Sequence, residues 1–166
     1  MEKIKIGIIG CGNISGIYLK NITQVFEVLE LKSCADLDME RAKAKAVEYP
    51  GIQAVTVDQL LADPEIRIVV NLTIPKAHGT VALQAIRAGK SVYNEKPLAL
   101  SREDGKLLLQ EAKKNKVLVG GAPDTFMGAG IQTCRQLIES GAIGTPVGAT
   151  AFMMCRGHEG WHPDPE

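Results

Sequence analysis

Three groups of residues in this chain could do chemistry, and the first is a glycine turn near the N-terminus. The segment Lys3 to Gly16, KIKIGIIGCGNISG, is an apolar run followed by two glycines and the start of a helix. Gly10 permits the tight turn, and Gly12 lets a pyrophosphate approach the backbone. The helix that begins near Asn13 and Ile14 would offer free N–H groups to that anion. Glycine also serves purely steric purposes at such corners, so the turn alone leaves dinucleotide binding open.

The second group is a single acid, Asp36, at the end of the second predicted strand. It lies 21 residues after Ser15, the small residue in the third glycine position of the G-x-G-x-x-G pattern. A carboxylate there accepts hydrogen bonds from the adenosine ribose hydroxyls and would repel a 2′-phosphate. Neither Leu37 nor Asp38 supplies a compensating cation, so NAD is favoured over NADP. The alternative interpretation of Asp36 is a solvated loop acid or a helix cap.

The third group is Asn94-Glu95-Lys96-Pro97, directly after the fifth predicted strand. Ligands of open α/β sheets bind at the carboxyl ends of the strands, so chemistry is expected at this edge. Lys96 could hydrogen-bond a substrate hydroxyl, stabilise developing negative charge or move a proton. Glu95 could hold the lysine or contact the nicotinamide ribose. A Lys-Pro pair that leaves a strand is also common in loops without function, so spacing alone does not assign the role.

Alternating strands and helices would position these groups at one edge of a sheet. The predicted strands are Ile4 to Ile9, Leu29 to Ala35, Ile52 to Val57, Ile66 to Leu72, Ser91 to Tyr93 and Val117 to Val119. Helical patterns lie between them, one of them capped by Ser101. This alternation is typical of a parallel sheet with helices on both faces. The sequence therefore predicts a doubly wound α/β fold of the Rossmann NAD(P)-binding type.

The predicted domain organisation has three parts. The dinucleotide-binding domain covers residues 1–123, and a linking helix capped by Asp124 covers residues 124–144. Residues 145–166 contain an apolar stretch, Val147 to Cys155, which the pattern predicts to be a strand with no place in the parallel sheet. We interpret this last part as the start of a truncated α+β second domain, and the chain as an incomplete copy.

Composition excludes several classes of protein. The 19 Lys and Arg balance the 19 Asp and Glu, and no basic run is interleaved with aromatic residues, so a nucleic-acid partner is not expected. The apolar runs are too short to span a bilayer, and no signal peptide precedes the first strand. The four cysteines are scattered without metal-binding spacing, which indicates free thiols in a reducing compartment and no metal site. A cytoplasmic protein with a small-molecule substrate is the expectation.

Taken together, these motifs resemble those of the Gfo/Idh/MocA family, which includes glucose–fructose oxidoreductase and inositol dehydrogenase. The residues that carry the resemblance are Gly10-Cys11-Gly12-Asn13-Ile14-Ser15, Asp36, Asn71-Leu72-Thr73-Ile74-Pro75, His78, Glu95-Lys96-Pro97 and Glu139 to Gly144. The resemblance covers nearly the whole chain. It implies an NAD(P)-dependent oxidoreductase that acts on a sugar, polyol or related hydroxylated substrate.

The resemblance also implies roles for individual residues. Thr73 and Pro75 would line the cofactor near the pyrophosphate and nicotinamide, and Asn71 precedes them in the same segment. Glu95 would lie at the nicotinamide ribose, and Lys96 would orient the substrate hydroxyl or carbonyl. The family has a histidine after that proline, here His78, which we assign to the same cofactor segment and for which capping or packing is the favoured role.

This sequence departs from the family pattern in two places. Family members often carry Asn and Arg in a G-x-N-x-R-F motif, whereas Asp124 lies near the place of that arginine here. Family members are also longer, and their second domain supplies an Asp-x-x-x-His motif for proton transfer and a sheet for dimerisation. Neither His158 nor His162 follows an aspartate by four residues, so we assign neither as general base. We therefore expect cofactor binding with little turnover, and a homo-oligomer for the full-length form.

Two other functions compete with a dehydrogenase. The first is a non-catalytic NAD-binding or redox-sensing module, because the catalytic half of the family pattern is missing. The second is an S-adenosylmethionine-dependent methyltransferase, which also uses a glycine-rich first turn and an acid after the second strand. The segments Glu95-Lys96-Pro97 and Thr73-Ile74-Pro75 argue against the methyltransferase.

Overall fold

A computed structural model of the chain describes residues 2–157, which form two compact units divided between Pro123 and Asp124. The first unit contains a six-stranded sheet in which every neighbouring pair of strands is parallel. Its strands are β1 (Ile4–Ile9), β2 (Leu29–Ala35), β3 (Gln53–Ala54), β4 (Ile68–Asn71), β5 (Ser91–Asn94) and β6 (Val119–Gly121). The predicted doubly wound α/β fold is thereby confirmed.

Five helices of the first unit connect these strands, and a sixth lies in the second unit. They are α1 (Ser15–Gln24), α2 (Met39–Glu48), α3 (Val57–Ala62), α4 (Pro75–Arg87), α5 (Arg102–Asn115) and α6 (Ala129–Glu139). The strand order is β3-β2-β1-β4-β5-β6, so the winding direction reverses between β1 and β4. In open α/β sheets this reversal opens a crevice at the carboxyl ends of the strands, where ligands bind. None of the helices within residues 2–157 is long and apolar enough to cross a membrane.

The sheet separates two apolar clusters, because successive side chains of a strand point to opposite faces. Ile8 of β1 belongs to the cluster that contains Leu19 of α1. Its neighbour Ile9 belongs to the other cluster, with Ile86 of α4 and Leu108 of α5. Each of these side chains is at most 2% exposed, and burial of one large apolar side chain stabilises a fold by about 1.5–3 kcal/mol. The two clusters fix the sheet between its helix layers.

An ion-pair cluster ties β1 and β2 to the loop before β4. Lys32 lies 2.6 Å from Asp63, and Lys5 and Lys32 both pair with Glu65. The buried Lys90 donates to the backbone oxygen of Asp63. Hydrogen bonds from Lys32 hold the pKa of Asp63 and of Glu65 below their ordinary values. This cluster is part of the scaffold.

The sixth strand begins later than the sequence pattern predicts. Lys116 has a left-handed conformation, φ 58°, and the amide of Val117 donates to Ala112 O. Val117 therefore completes the exit from α5. Leu118 O then accepts from the Val92 amide, and the register with β5 starts at Val119. The predicted cap at Ser101 is confirmed, since its hydroxyl accepts from the amide of Asp104.

Two predictions for the second unit were wrong. Asp124 precedes a 3₁₀ turn, Thr125–Met127, without a side-chain cap bond among the described residues, and α6 begins after Gly128. No strand forms between Val147 and Cys155 in the described chain. An isolated strand has unpaired N–H and C=O groups, so an apolar segment forms one only where another strand pairs with it. His158 and His162 lie outside the described residues.

Candidate functional site

The carboxyl ends of four strands bring the predicted site residues to one edge of the sheet. Ile9 of β1 is level with Ala35 of β2 and with Asn71 of β4, and Asn71 is level with Asn94 of β5. The next residues along these strands are Gly10, Asp36, Leu72 and Glu95. The sheet register therefore places the glycine turn, the acid and the Glu-Lys-Pro segment beside the crevice between β1 and β4.

The first glycine of the turn is there for steric reasons. Gly10 has φ +104°, and a Cβ atom at this position would lie 2.6 Å from the carbonyl carbon and oxygen of Leu72. The Gly10 amide donates to Ala35 O at 2.8 Å, and the Leu72 amide donates to Ile9 O at 2.8 Å. Because β1 turns within contact of the chain that leaves β4, only glycine fits without strain.

The second glycine faces open space. Apart from Gly12 itself and its two chain neighbours, no described residue has an atom within 4 Å of the position that a Cβ would take there. Behind it, the hydroxyl of the buried Ser15 donates to Gly12 O at 2.7 Å, which fixes the turn against the start of α1. Asn13 and Ile14 are exposed at this helix start. The turn thus presents open backbone and a helix N-terminus, which fit a pyrophosphate.

Asp36 is held beside the glycine turn. Its Oδ2 accepts from the Cys11 amide at 2.6 Å, and its Oδ1 accepts from the Asp38 amide at 2.9 Å. The side chain is half-buried. A carboxylate has about four acceptor positions, so these two bonds leave acceptor capacity for ribose hydroxyls. The acid is therefore oriented by the same turn that would hold the pyrophosphate.

A buried amide pair lies beneath the edge. Asn71 and Asn94 are both 0% exposed, and Asn71 Nδ2 donates to Asn94 Oδ1 at 3.0 Å and to His78 O at 3.2 Å. Asn71 Oδ1 accepts from the Thr73 hydroxyl at 2.7 Å. Asn94 Nδ2 donates to Leu98 O at 2.9 Å. The complete burial of Asn71 does not fit the predicted cofactor contact. Its side-chain amide instead forms hydrogen bonds that hold the turns after β4 and β5.

His78 joins the two turns directly. The ring is 1% exposed, with Nε2 at 2.8 Å from Thr73 O and Nδ1 at 2.6 Å from Pro97 O. Carbonyl oxygens only accept hydrogen bonds, so which ring nitrogen donates depends on the tautomer of the ring. The ring lies between Thr73 and the Lys96–Pro97 bond, which is cis. Thr73 is half-buried, and the exposed Pro75 after it begins α4.

Glu95 is oriented through both of its oxygens. Oε2 accepts from the Lys96 amide at 2.7 Å, and Oε1 accepts from the Tyr18 hydroxyl at 2.8 Å. Sequence reasoning counted Tyr18 only as an apolar position of α1 and missed this contact, for which no motif exists. The Lys96 side chain is exposed and makes no ion pair with the described residues. It is available to a ligand.

The buried Cys11 of the glycine turn is a packed thiol. A hydrogen bond with Cys34 and burial together raise the pKa of the Cys11 thiol well above its ordinary value. The thiol in the glycine turn is therefore neutral and does not oppose an anion. Residues 2–157 contain no group of three or more His, Cys, Asp or Glu arranged to hold a metal ion.

Known proteins share this architecture. The family described as oxidoreductase family, NAD-binding Rossmann fold, matches residues 4–121. An inositol 2-dehydrogenase/D-chiro-inositol 3-dehydrogenase from Lacticaseibacillus casei is 29% identical over 87% of this chain and 42% of its own length. A 1,5-anhydro-D-fructose reductase from Ensifer adhaerens is 34% identical over 74% of this chain and 37% of its own.

A solved structure agrees with these sequence relatives. The crystal structure of the WlbA dehydrogenase from Bordetella pertussis, in complex with NADH and UDP-GlcNAcA, superposes with a TM-score of 0.80 and 28% identity. The match covers 86% of this chain and 41% of that one. The chain thus spans about two fifths of the length of the proteins it matches. The family match and the shared fold show that the chain belongs to the Gfo/Idh/MocA family of oxidoreductases, and the matched region is the NAD-binding Rossmann fold.

Proposed function

We propose that this chain is the NAD-binding part of an oxidoreductase that transfers hydride between nicotinamide and a hydroxyl-bearing carbon of a sugar or polyol. The observation that carries the proposal is the arrangement at the carboxyl edge of the sheet. There the open turn at Gly12, the oriented carboxylate of Asp36 and the exposed Lys96 follow strands that end level with one another. The named relatives that act on inositol and anhydrofructose support the substrate class.

The cofactor that fits this edge is NAD. Its pyrophosphate would lie against Gly12 and the start of α1, at Asn13 and Ile14, and its adenosine ribose against Asp36. A 2′-phosphate would meet the Asp36 carboxylate. The next cation in the sequence, Arg41, pairs with Asp38 at 3.4 Å and so does not offset that repulsion. We therefore propose NAD over NADP.

Lys96 is the residue that we assign to catalysis. When bound, the cofactor supplies a nicotinamide C4 that accepts or returns the hydride. The Lys96 ammonium would hold the substrate oxygen by a hydrogen bond and stabilise the negative charge that develops there as the hydroxyl proton passes to a separate base, which we do not assign in this chain. Thr73 and Pro75 would line the cofactor at the start of α4, and Glu95 would contact the nicotinamide ribose. Asn71 and His78 would position these turns from below.

The relatives that carry out the whole reaction are longer than this chain, so we propose that full activity needs a longer form of the protein. We propose that the isolated 166 residues bind NAD with little turnover, since we assign no residue of this chain as the general base that takes the hydroxyl proton. We further propose a cytoplasmic protein with a small-molecule substrate and no nucleic-acid or membrane partner, and a homo-oligomer for a full-length form.

A non-catalytic NAD-binding module is the second candidate function, favoured by the glycine turn and Asp36, which could hold a dinucleotide without any catalytic side chain. Two assays distinguish the candidates. NADH and NADPH are titrated into the 166-residue chain, and NADH production from a panel of polyols and sugars is followed with the protein at its natural full length. Substrate-dependent NADH production that Lys96→Met abolishes, with NADH affinity unchanged, supports the dehydrogenase. NADH binding without NADH production from any polyol or sugar of the panel supports the non-catalytic module.

A further inference from the structure

Tyr18 of α1 makes a contact at this edge that no sequence motif predicts. Its hydroxyl donates to Glu95 Oε1 at 2.8 Å, between residues 77 positions apart. α1 follows β1, and Glu95 follows β5, with β4 between those two strands in the sheet. The hydrogen bond therefore links the segment after β1 to the segment after β5, at the edge where the winding direction of the sheet reverses.

This bond completes the orientation of the Glu95 carboxylate. The Lys96 amide holds Oε2 at 2.7 Å, which fixes one oxygen but allows the carboxylate to swing about that bond. The Tyr18 hydroxyl holds the other oxygen, and the phenol ring is anchored because Tyr18 packs against the apolar cluster that contains Leu19 and Ile22. Hydrogen bonds to an ionised acceptor are about twice as strong as neutral ones, so the pair defines one position for Glu95.

We propose that Tyr18 is a positioning residue for the nicotinamide half of the cofactor, acting by fixing the Glu95 carboxylate toward the nicotinamide ribose. The inference rests on the proposed function, because it needs a dinucleotide in the crevice. It assigns the two halves of the cofactor to different sets of residues. Asp36 and the glycine turn hold the adenosine and pyrophosphate, and Tyr18 with Glu95 holds the second ribose.

Cofactor fragments separate these two halves. ADP contains the adenosine and the two phosphates, ADP-ribose adds the second ribose, and NADH adds the nicotinamide. Tyr18→Phe keeps the ring and its packing and removes only the hydroxyl. We expect this variant to bind ADP-ribose and NADH about fivefold more weakly than wild type, and to bind ADP equally well.

Tyr49→Phe is the matched control, since its hydroxyl lies 3.5 Å from Gly16 O and touches the same helix without reaching Glu95. It should leave all three affinities unchanged. The double variant Tyr18→Phe/Glu95→Ala should bind ADP-ribose no more weakly than Glu95→Ala alone, because the hydroxyl acts through that carboxylate. Titration calorimetry with the 166-residue chain measures every affinity, and circular dichroism compares the folds of the variants.

The outcomes are distinct. An unchanged affinity of Tyr18→Phe for ADP-ribose overturns the role of Tyr18 while leaving NAD binding in place. An equal loss for ADP and ADP-ribose also overturns it, because it would show a general effect on α1. If wild type binds none of the three ligands, the proposed function itself fails, and the inference fails with it.

Discussion

The amide of Cys11 donates to the Asp36 carboxylate at 2.6 Å, so the glycine turn after β1 and the acid after β2 form one hydrogen-bonded unit. The backbone repeats this link one residue earlier on each side, where the Gly10 amide donates to Ala35 O at 2.8 Å. A dinucleotide would contact both parts, with its pyrophosphate on the turn and its ribose on the acid. Under the proposed function, changes to Asp36 should therefore weaken recognition of the adenosine half.

The first prediction concerns Asp36 itself. Asp36→Ala removes the acceptors for the ribose hydroxyls, and we expect NADH affinity to fall about tenfold, the loss of roughly one charged hydrogen bond. NADPH should lose less, because the carboxylate that repels its 2′-phosphate is also gone. Fluorescence titration with both cofactors measures the ratio. Asp58→Ala, an exposed acid in the first turn of α3, is the charge-matched control. Equal losses for both cofactors would argue against the assigned role.

The two glycines of the turn should respond to alanine in opposite ways. At Gly10 a Cβ would overlap the Leu72 backbone in a conformation that alanine rarely adopts, so Gly10→Ala should cost about 3 kcal/mol or more of folding stability. At Gly12 a Cβ meets no described atom, so Gly12→Ala should fold like wild type and yet lose NADH binding more than tenfold. Urea unfolding and cofactor titration distinguish the two effects. Normal NADH affinity of Gly12→Ala would contradict the assignment of the pyrophosphate to this turn.

His78 should matter for stability first. His78→Phe keeps a ring of similar size in the buried position and removes the polar contacts to Thr73 O and Pro97 O, which join the turns after β4 and β5. We expect a loss of about 2–4 kcal/mol in the free energy of unfolding, measured by urea denaturation. Lys76→Ala, at an exposed position on the same helix, is the control. Unchanged stability with weakened NADH binding would place the ring against the cofactor instead.

The sequence was sufficient to predict the α/β fold and most of the residues at the carboxyl edge of the sheet. Glycine spacing, the acid after β2 and the strand–helix alternation each depend on local pattern, and the structure places them together. Contacts between distant residues were beyond such patterns. Tyr18 contacts Glu95 because the fold brings the segments after β1 and β5 to one edge of the sheet. An asparagine such as Asn71 looks the same in sequence whether it faces a ligand or a buried amide.

The apolar stretch from Val147 to Cys155 shows the converse limit. Its composition favours a strand, but a strand depends on a partner that composition does not reveal. Among the described residues no partner pairs with it, so it stays irregular.

Acid should weaken the scaffold through Asp63. Lys32 lowers the pKa of the Asp63 carboxyl in the folded chain below its ordinary value of 3.8, so the unfolded chain takes up this proton first as pH falls. The stabilisation is complete above the unfolded value and is lost as pH falls through the lower folded value. Lys32→Met should therefore destabilise the chain at pH 7 and do so less near pH 3, as measured by urea unfolding at each pH. A pH-independent difference would contradict the ion pair's contribution.

The most direct test of NAD binding at the carboxyl edge is an amide NMR titration of the 166-residue chain with NADH. The account predicts the largest shifts at the amides of Gly12, Asn13 and Asp36, with smaller ones at Glu95 and Lys96. The amides of Lys32 and Asp63, in the ion-pair cluster, should not move. Shifts centred on that cluster, or no shifts at saturating NADH, would contradict the assignment of this edge as the cofactor site.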